Sequence, residues 1–290
     1  MSAADTVVWL DGGLRDPAEA TLHWSDHGIT VGDGVFETVK LTDDGPFALT
    51  RHLDRLERSA AGLGLVPPDR SILLAAVDEV VAARTGPGRL RITVTGGPGP
   101  MGSARGEGGP TVLVAAGPLT VDRSPTTVLV VPWTRNEHGA VAGLKTTSYA
   151  ENVVALAAAT AAGASEAILA NTAGELCEGT GSNVFVVLDD RVVTPPLSSG
   201  CLAGVTRALL LEALAAGGVD AAEEPVPMSE LGAADEVFLV STTRDVQPVA
   251  RVLHHGHPGT DRALDAPGPV TLRCAGVWDA AYGPGRPADP

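Results

Sequence analysis

Lys145 stands where an apolar, glycine-containing approach, Gly143-Leu144, gives way to the polar turn Thr146-Thr147-Ser148 ahead of an alanine-rich stretch. Lysine is rare in this chain, and Lys145 is the only one in its neighbourhood. A lysine at a strand-to-helix junction is partly withdrawn from water, which disfavours its ammonium form and lowers its pKa. The neutral amine is a nucleophile that condenses with a carbonyl to a Schiff base and serves afterwards as a base. A solvated loop lysine has the same local sequence, so the reading turns on what else the chain carries.

Four other stretches carry residues of the right type. Glu178 lies within Glu175-Leu176-Cys177-Glu178-Gly179-Thr180-Gly181-Ser182-Asn183, a carboxylate set among glycines and hydroxyls. His52-Leu53-Asp54-Arg55-Leu56 offers a guanidinium near the start of a helical pattern. Leu202-Ala203-Gly204-Val205-Thr206-Arg207 opens a helix, where backbone N–H groups favour an anion. Val240-Ser241-Thr242-Thr243 is a turn rich in small hydroxyls, followed by Arg244. Alone, each is also what an ordinary cap or surface charge looks like. Their order along one chain separates the two readings.

With Gly32-Asp33-Gly34-Val35-Phe36-Glu37 added, these motifs resemble the class IV (fold type IV) pyridoxal-phosphate aminotransferases, from roughly Trp9 to Val249. That group holds D-amino acid aminotransferases, branched-chain aminotransferases and 4-amino-4-deoxychorismate lyases. The resemblance implies a homodimer of two-domain α+β chains with mixed antiparallel sheets and helices, and pyridoxal 5′-phosphate between the domains. It gives Lys145 the cofactor aldehyde and the proton shuttle, and gives Glu178 the pyridine nitrogen. Arg55, Val205, Thr206, Ser241 and Thr242 fall at phosphate positions. Phe36 and Glu37 fall on the substrate side. A substrate carboxylate calls for an arginine fork; Arg91 and Arg244, with Thr243 beside it, are the first candidates, and Arg105 and Arg135 the weaker ones.

Within the group the motifs divide. The Glu178–Asn183 run and Val240–Thr243 look closer to the D-amino acid enzymes. However, Phe36 replaces their usual tyrosine, and 96–109 lacks their histidine. Thr146-Thr147-Ser148-Tyr149 looks like the lyases. The expected activity is amino transfer between a D-amino acid and pyruvate or 2-oxoglutarate. Aminodeoxychorismate lysis is the alternative, and branched-chain L-amino acid transfer ranks third.

The elements that must position these residues follow from periodicity. Val7–Leu10, Val35–Leu41, Pro46–Leu49, Arg89–Thr95 and Thr111–Ala115 read as strands, and Arg51–Gly62 and Ser71–Arg84 as helices. Strands at Thr127–Val131, Glu166–Asn171, Asn183–Leu188 and Glu236–Val240 follow, with helices at Val153–Ala162 and Val205–Ala216. Their irregular mixing, without a βαβ repeat, argues α+β. Residues 1–117 form the expected first domain, 118–126 a linker, 127–282 the second domain and 283–290 a disordered tail.

Composition bounds the rest. With 44% hydrophobic residues the chain of 290 can bury a large core. A net charge of −15, from 20 Lys+Arg against 35 Asp+Glu, argues against nucleic acid and anionic membranes as partners. Three cysteines, Cys177, Cys201 and Cys274, have no metal-type spacing and fit a reducing cytoplasm. No apolar run reaches a membrane span, and no signal-peptide pattern opens the sequence.

Overall fold

The structure, a computed structural model, describes residues 5–290. Two compact units divide the chain. The first holds Met1–Thr120, Leu144–Tyr149 and Pro284–Pro290, and the second holds Val121–Gly143 and Ala150–Gly283. The opening residues 1–4 of the expected first domain lie outside the described residues.

The first unit contains β1 (Val7–Leu10), β2 (Leu14–Arg15), α1 (His27–Thr30), β3 (Gly34–Thr42), β4 (Gly45–Pro46), α2 (Leu49–Leu63), α3 (Arg70–Ala82), β5 (Gly88–Thr95) and β6 (Thr111–Pro118). The six strands form one antiparallel sheet in the order β2-β1-β6-β5-β3-β4. Two-residue alternation on β3 sends Val35, Val39 and Leu41 into the core. There they meet Leu53, Leu56 and Ala60 of α2, spaced for one helix face, and Leu73, Val77 and Val80 of α3. Each fully buried leucine contributes about 1.5–3 kcal/mol.

The returning strand expected at Pro46–Leu49 is only the two-residue β4, because Leu49 already opens α2. Residues of the tail meet the start of α2. Ala288 O accepts from Ala48 N at 2.6 Å, and Asp289 Oδ1 accepts from Thr50 N at 3.0 Å. The α2 start has no side-chain cap of its own, since Ala48 stands at its N-cap. Asp289 takes one of the donors left open there.

The second unit contains β7 (Thr126–Arg135), α4 (Ala150–Ala161), β8 (Glu166–Asn171), β9 (Leu176–Gly179), β10 (Asn183–Leu188), β11 (Arg191–Thr194), α5 (Val205–Ala216), β12 (Ala221–Glu223), α6 (Met228–Leu231), β13 (Glu236–Ser241), β14 (Asp245–His254), β15 (Arg262–Ala263) and α7 (Pro269–Tyr282). Its nine-stranded sheet runs β12-β11-β10-β13-β14-β7-β8-β9, with β15 paired to β14. This sheet is mixed: β7 is parallel to β8 and to β14, and β11 to β12. Parallel neighbours need a crossover, which α4 supplies between β7 and β8. The fold is α+β.

Several elements escape the sequence reading, β14 and α7 the longest of them. β14 is central yet contains Gln247, Pro248 and Arg251, which interrupt its apolar run and argue against an inner strand. In α7 the buried residues are Thr271, Cys274 and Trp278, too mixed a stripe to read as an amphipathic helix.

Candidate active site

Lys145 lies in the connection between β7 and α4, beside β3 of the first unit. Its main chain is held on both sides: Lys145 N–H donates to the buried Ser59 Oγ at 3.1 Å, and Lys145 O accepts from Phe36 N at 3.0 Å. Thr146 bridges to Val35. The half-buried side chain places Nζ 3.5 Å from Tyr149 Oη and 4.3 Å from the Phe36 ring centroid. Phe36 and Tyr149 meet edge to face at 5.1 Å. On β5, Arg91 stands opposite Thr38 and Thr93 opposite Phe36, so Arg91 reaches diagonally across to Phe36. Its Cζ lies 3.7 Å from that ring's centroid. Arg91 is exposed, and among the described residues it has no carboxylate partner. Lys145, Phe36 and Arg91 are therefore brought together.

Glu37 is corrected. It is expected beside Phe36 on the substrate side, but strand alternation turns it to the other face, under α2, where it is fully buried. Its carboxylate accepts Nε and Nη2 of Arg55 at 2.7 Å each, and pairs with His52 Nδ1 at 2.7 Å. Burial works to raise the Glu37 carboxyl. The charge and hydrogen bonds of Arg55, with His52 added, outweigh it and bring the pKa down to about 2. The His52 imidazole is pushed down by burial, against the pull of Glu37.

Glu178, on β9, belongs to a second cluster. Its Oε2 accepts from Leu202 N at 2.9 Å, and its Oε1 lies 3.4 Å from Arg135 Nε. Arg135 Nη2 also donates to Asn152 Oδ1 at 3.0 Å. Asn183 Nδ2 donates to Leu202 O at 2.9 Å, bracing the loop into α5. A Cβ at Gly204 would sit 2.0 Å from Asn183 Oδ1, so the close approach requires glycine. α5 begins after Gly204 with no side-chain cap, and its first residues, Val205 and Thr206, are buried. Ser241 and Thr243 hydroxyls lie 3.4 Å apart in the β13–β14 turn with Thr242 between them. Arg244 is turned to Ser165 O at 3.1 Å, to Gln247 Oε1 and to Glu166 at 3.6 Å.

The family model for amino-transferase class IV matches residues 34–252. The chain belongs to the class IV aminotransferases. This aminotransferase is 30% identical over 262 residues to the putative branched-chain-amino-acid aminotransferase of Methanocaldococcus jannaschii, covering 84% of this chain and 87% of that one. It is 31% identical over 274 residues to the D-alanine aminotransferase of Bacillus licheniformis, covering 91% and 93%. The structure of 4-amino-4-deoxychorismate lyase from Pseudomonas aeruginosa superposes with a TM-score of 0.80 at 32% identity, covering 95% of this chain and 99% of that one. The cofactor of the class is pyridoxal phosphate.

Sequence reasoning about this aminotransferase missed several supporting groups. Ser59 carries no motif signal; only the spacing of α2 against the lysine reveals it. Arg135, weighed as a loop arginine, closes β7 and faces Glu178. Arg105, weighed the same way, is bound to Asp33 by two hydrogen bonds of 2.7 Å. Glu166 is buried and accepts from Thr180 N at 3.0 Å and Ser182 Oγ at 2.9 Å, shaping the loop after Glu178.

Proposed function

We propose that this class IV aminotransferase moves an amino group from a D-amino acid to a 2-oxo acid such as pyruvate or 2-oxoglutarate. The observation that carries the reading is Arg91, an exposed guanidinium without an anionic partner among the described residues, whose Cζ shares the Phe36 ring with Lys145 Nζ, at 3.7 and 4.3 Å from its centroid. Such a fork suits an α-carboxylate whose neighbouring carbon reacts at the lysine. Arg91 is preferred to Arg244, whose guanidinium is engaged by Ser165, Gln247 and Glu166. Phe36 and Thr243 complete the proposed substrate contacts. The D-specific choice draws support from the 31% identity to the Bacillus licheniformis D-alanine aminotransferase.

The residues fit pyridoxal phosphate by their chemistry: an amine beside aromatic rings for the aldehyde, a carboxylate for the ring nitrogen, and an uncapped helix start for the phosphate. Bound there, the cofactor supplies an electron-accepting ring that acidifies the substrate Cα–H. Lys145 Nζ accepts that proton and later returns it. Glu178, fixed by Leu202 N and Arg135, would hold the ring nitrogen through its carboxylate. Val205, Thr206, Ser241, Thr242 and Arg55 are assigned to the phosphate.

Incubation with D-alanine and 2-oxoglutarate should yield glutamate, with L-leucine a poor donor. Arg91→Ala should raise KM for the amino acid about tenfold or more, with kcat changed less, since a charged hydrogen-bond partner of the substrate is lost. An unchanged KM would remove Arg91 from the site. The second reading, aminodeoxychorismate lysis, is favoured by the 32% identity to the Pseudomonas aeruginosa lyase. It wins if 4-aminobenzoate and pyruvate form without detectable amino transfer. Amino transfer from L-leucine above that from D-alanine would favour the branched-chain assignment.

A homodimer belongs to the same proposal. α4 exposes Val153 (63%), Val154 (53%) and Leu156 (40%), an apolar surface that a second copy would cover. Light scattering after size exclusion should give twice the chain mass, and Val153→Glu should shift it toward the monomer. A monomeric native protein would refute this. A cytoplasmic location is proposed from the three free, buried cysteines. Among the described residues no helix is long and apolar enough to cross a membrane.

A further inference from the structure

The turn joining β13 to β14 pairs Ser241 with Asp245 and leaves Thr242, Thr243 and Arg244 as its loop, closed by Arg244 N–H donating to Ser241 O at 3.1 Å. Asp245, the first residue after the loop, has a left-handed backbone with φ of 52°, a conformation that favours glycine. Its side chain is buried, and Oδ2 accepts from Arg123 Nη2 at 2.6 Å. Arg123 precedes β7 and is anchored in turn by Asp279 of α7, through Nη1 at 2.7 and 3.0 Å. One residue on, Ser124 O accepts from Gln247 Nε2 at 3.1 Å, and Gln247 Oε1 accepts from Arg244. The segment before β7 thus grips the turn at its end, through Asp245, and at Arg244, through Gln247.

Backbone preference alone would place glycine at 245. A buried aspartate there makes sense for its carboxylate, the group that reaches Arg123. We propose that the Arg123–Asp245 ion pair is a positioning clip that fixes the Ser241–Arg244 turn in the shape that receives the cofactor phosphate. This rests on the assignment of Ser241 and Thr242 to the phosphate.

The test is titration of the cofactor-stripped full chain with pyridoxal phosphate and with pyridoxal, followed by tryptophan fluorescence. A clip acting on the phosphate side alters the first affinity and spares the second. Asp245→Gly relieves the left-handed backbone while removing the carboxylate, so its fold survives, as thermal unfolding of the stripped protein checks. Asp245→Gly and Arg123→Ala should each weaken pyridoxal phosphate binding about tenfold, the scale of one charged hydrogen bond, and leave pyridoxal unchanged. Arg123→Lys should recover part of the loss. Equal weakening of both ligands, or of neither, overturns the clip. Thr242→Val separates the premises. If Thr242→Val leaves the preference for the phosphorylated ligand intact, the phosphate assignment of this turn fails and the clip with it. If Thr242→Val lowers the preference and the Arg123 and Asp245 variants do not, the clip alone is wrong.

Discussion

Lys145→Ala is expected to abolish amino transfer while the protein keeps its fold. Loss of proton transfer alone costs about 10²–10⁴-fold, and loss of the covalent anchor adds to it. The fold survives because the position is held by main-chain atoms. The Lys145 N–H to Ser59 Oγ bond and the Phe36 N–H to Lys145 O bond both persist in alanine. What disappears is the amine above Phe36. Borohydride treatment of the wild-type enzyme followed by peptide mapping supplies the companion measurement. The chain has only two lysines, Lys40 and Lys145, so the outcome is sharp. A label on the Lys145 peptide supports the assignment; one on Lys40, or full activity in the alanine variant, ends it.

Arg55→Ala should cost about 3–5 kcal/mol of stability, more than an ordinary charge deletion, because it strands a buried carboxylate. Glu37 is fully buried and relies on Arg55 for two of its hydrogen bonds. The pH dependence fixes the sign. With the folded carboxyl near 2 and an ordinary value of 4.5, the pair's contribution is complete above 4.5 and is lost as pH falls toward 2. Without Arg55, burial is opposed only by His52 and the folded pKa rises. The variant should therefore lose stability at neutral pH and recover part of the difference in acid. Urea unfolding between pH 3 and 7 tests this, and parallel curves for variant and wild type would refute it. Replacing Glu37 with Gln in the same chain should return part of the lost stability, since no charge is then left buried. Cofactor retention should fall as well if Arg55 also meets the phosphate.

These two residues mark where sequence reading is strong and where it stops. Lys145 stands out in the sequence because it is a rare residue type flanked by recognisable turns. The loop after Glu178 stands out as well, because its glycines and hydroxyls are adjacent in the sequence. Glu37 is misread because its role depends on which face of β3 meets α2, and a motif of adjacent residues conceals the alternation between Phe36 and Glu37. Arg135 is undervalued because its partner lies more than forty positions away and is reached only after β7, β8 and β9 have paired. The same limit hides β14, whose sheet neighbours are β13, just before it, and β7, far earlier in the chain.

The pairing of β14 also sets an order of assembly. All six strands of the first sheet come from Val7–Pro118, so their partners emerge from the ribosome close together. In the second sheet, Val128 to Val130 must wait for Val252 to His254. Contacts of such long sequence separation form slowly and leave strand edges open in the meantime. The nascent second unit therefore spends most of its synthesis with β7 unpaired along one side, and depends on late-arriving chain for protection against aggregation.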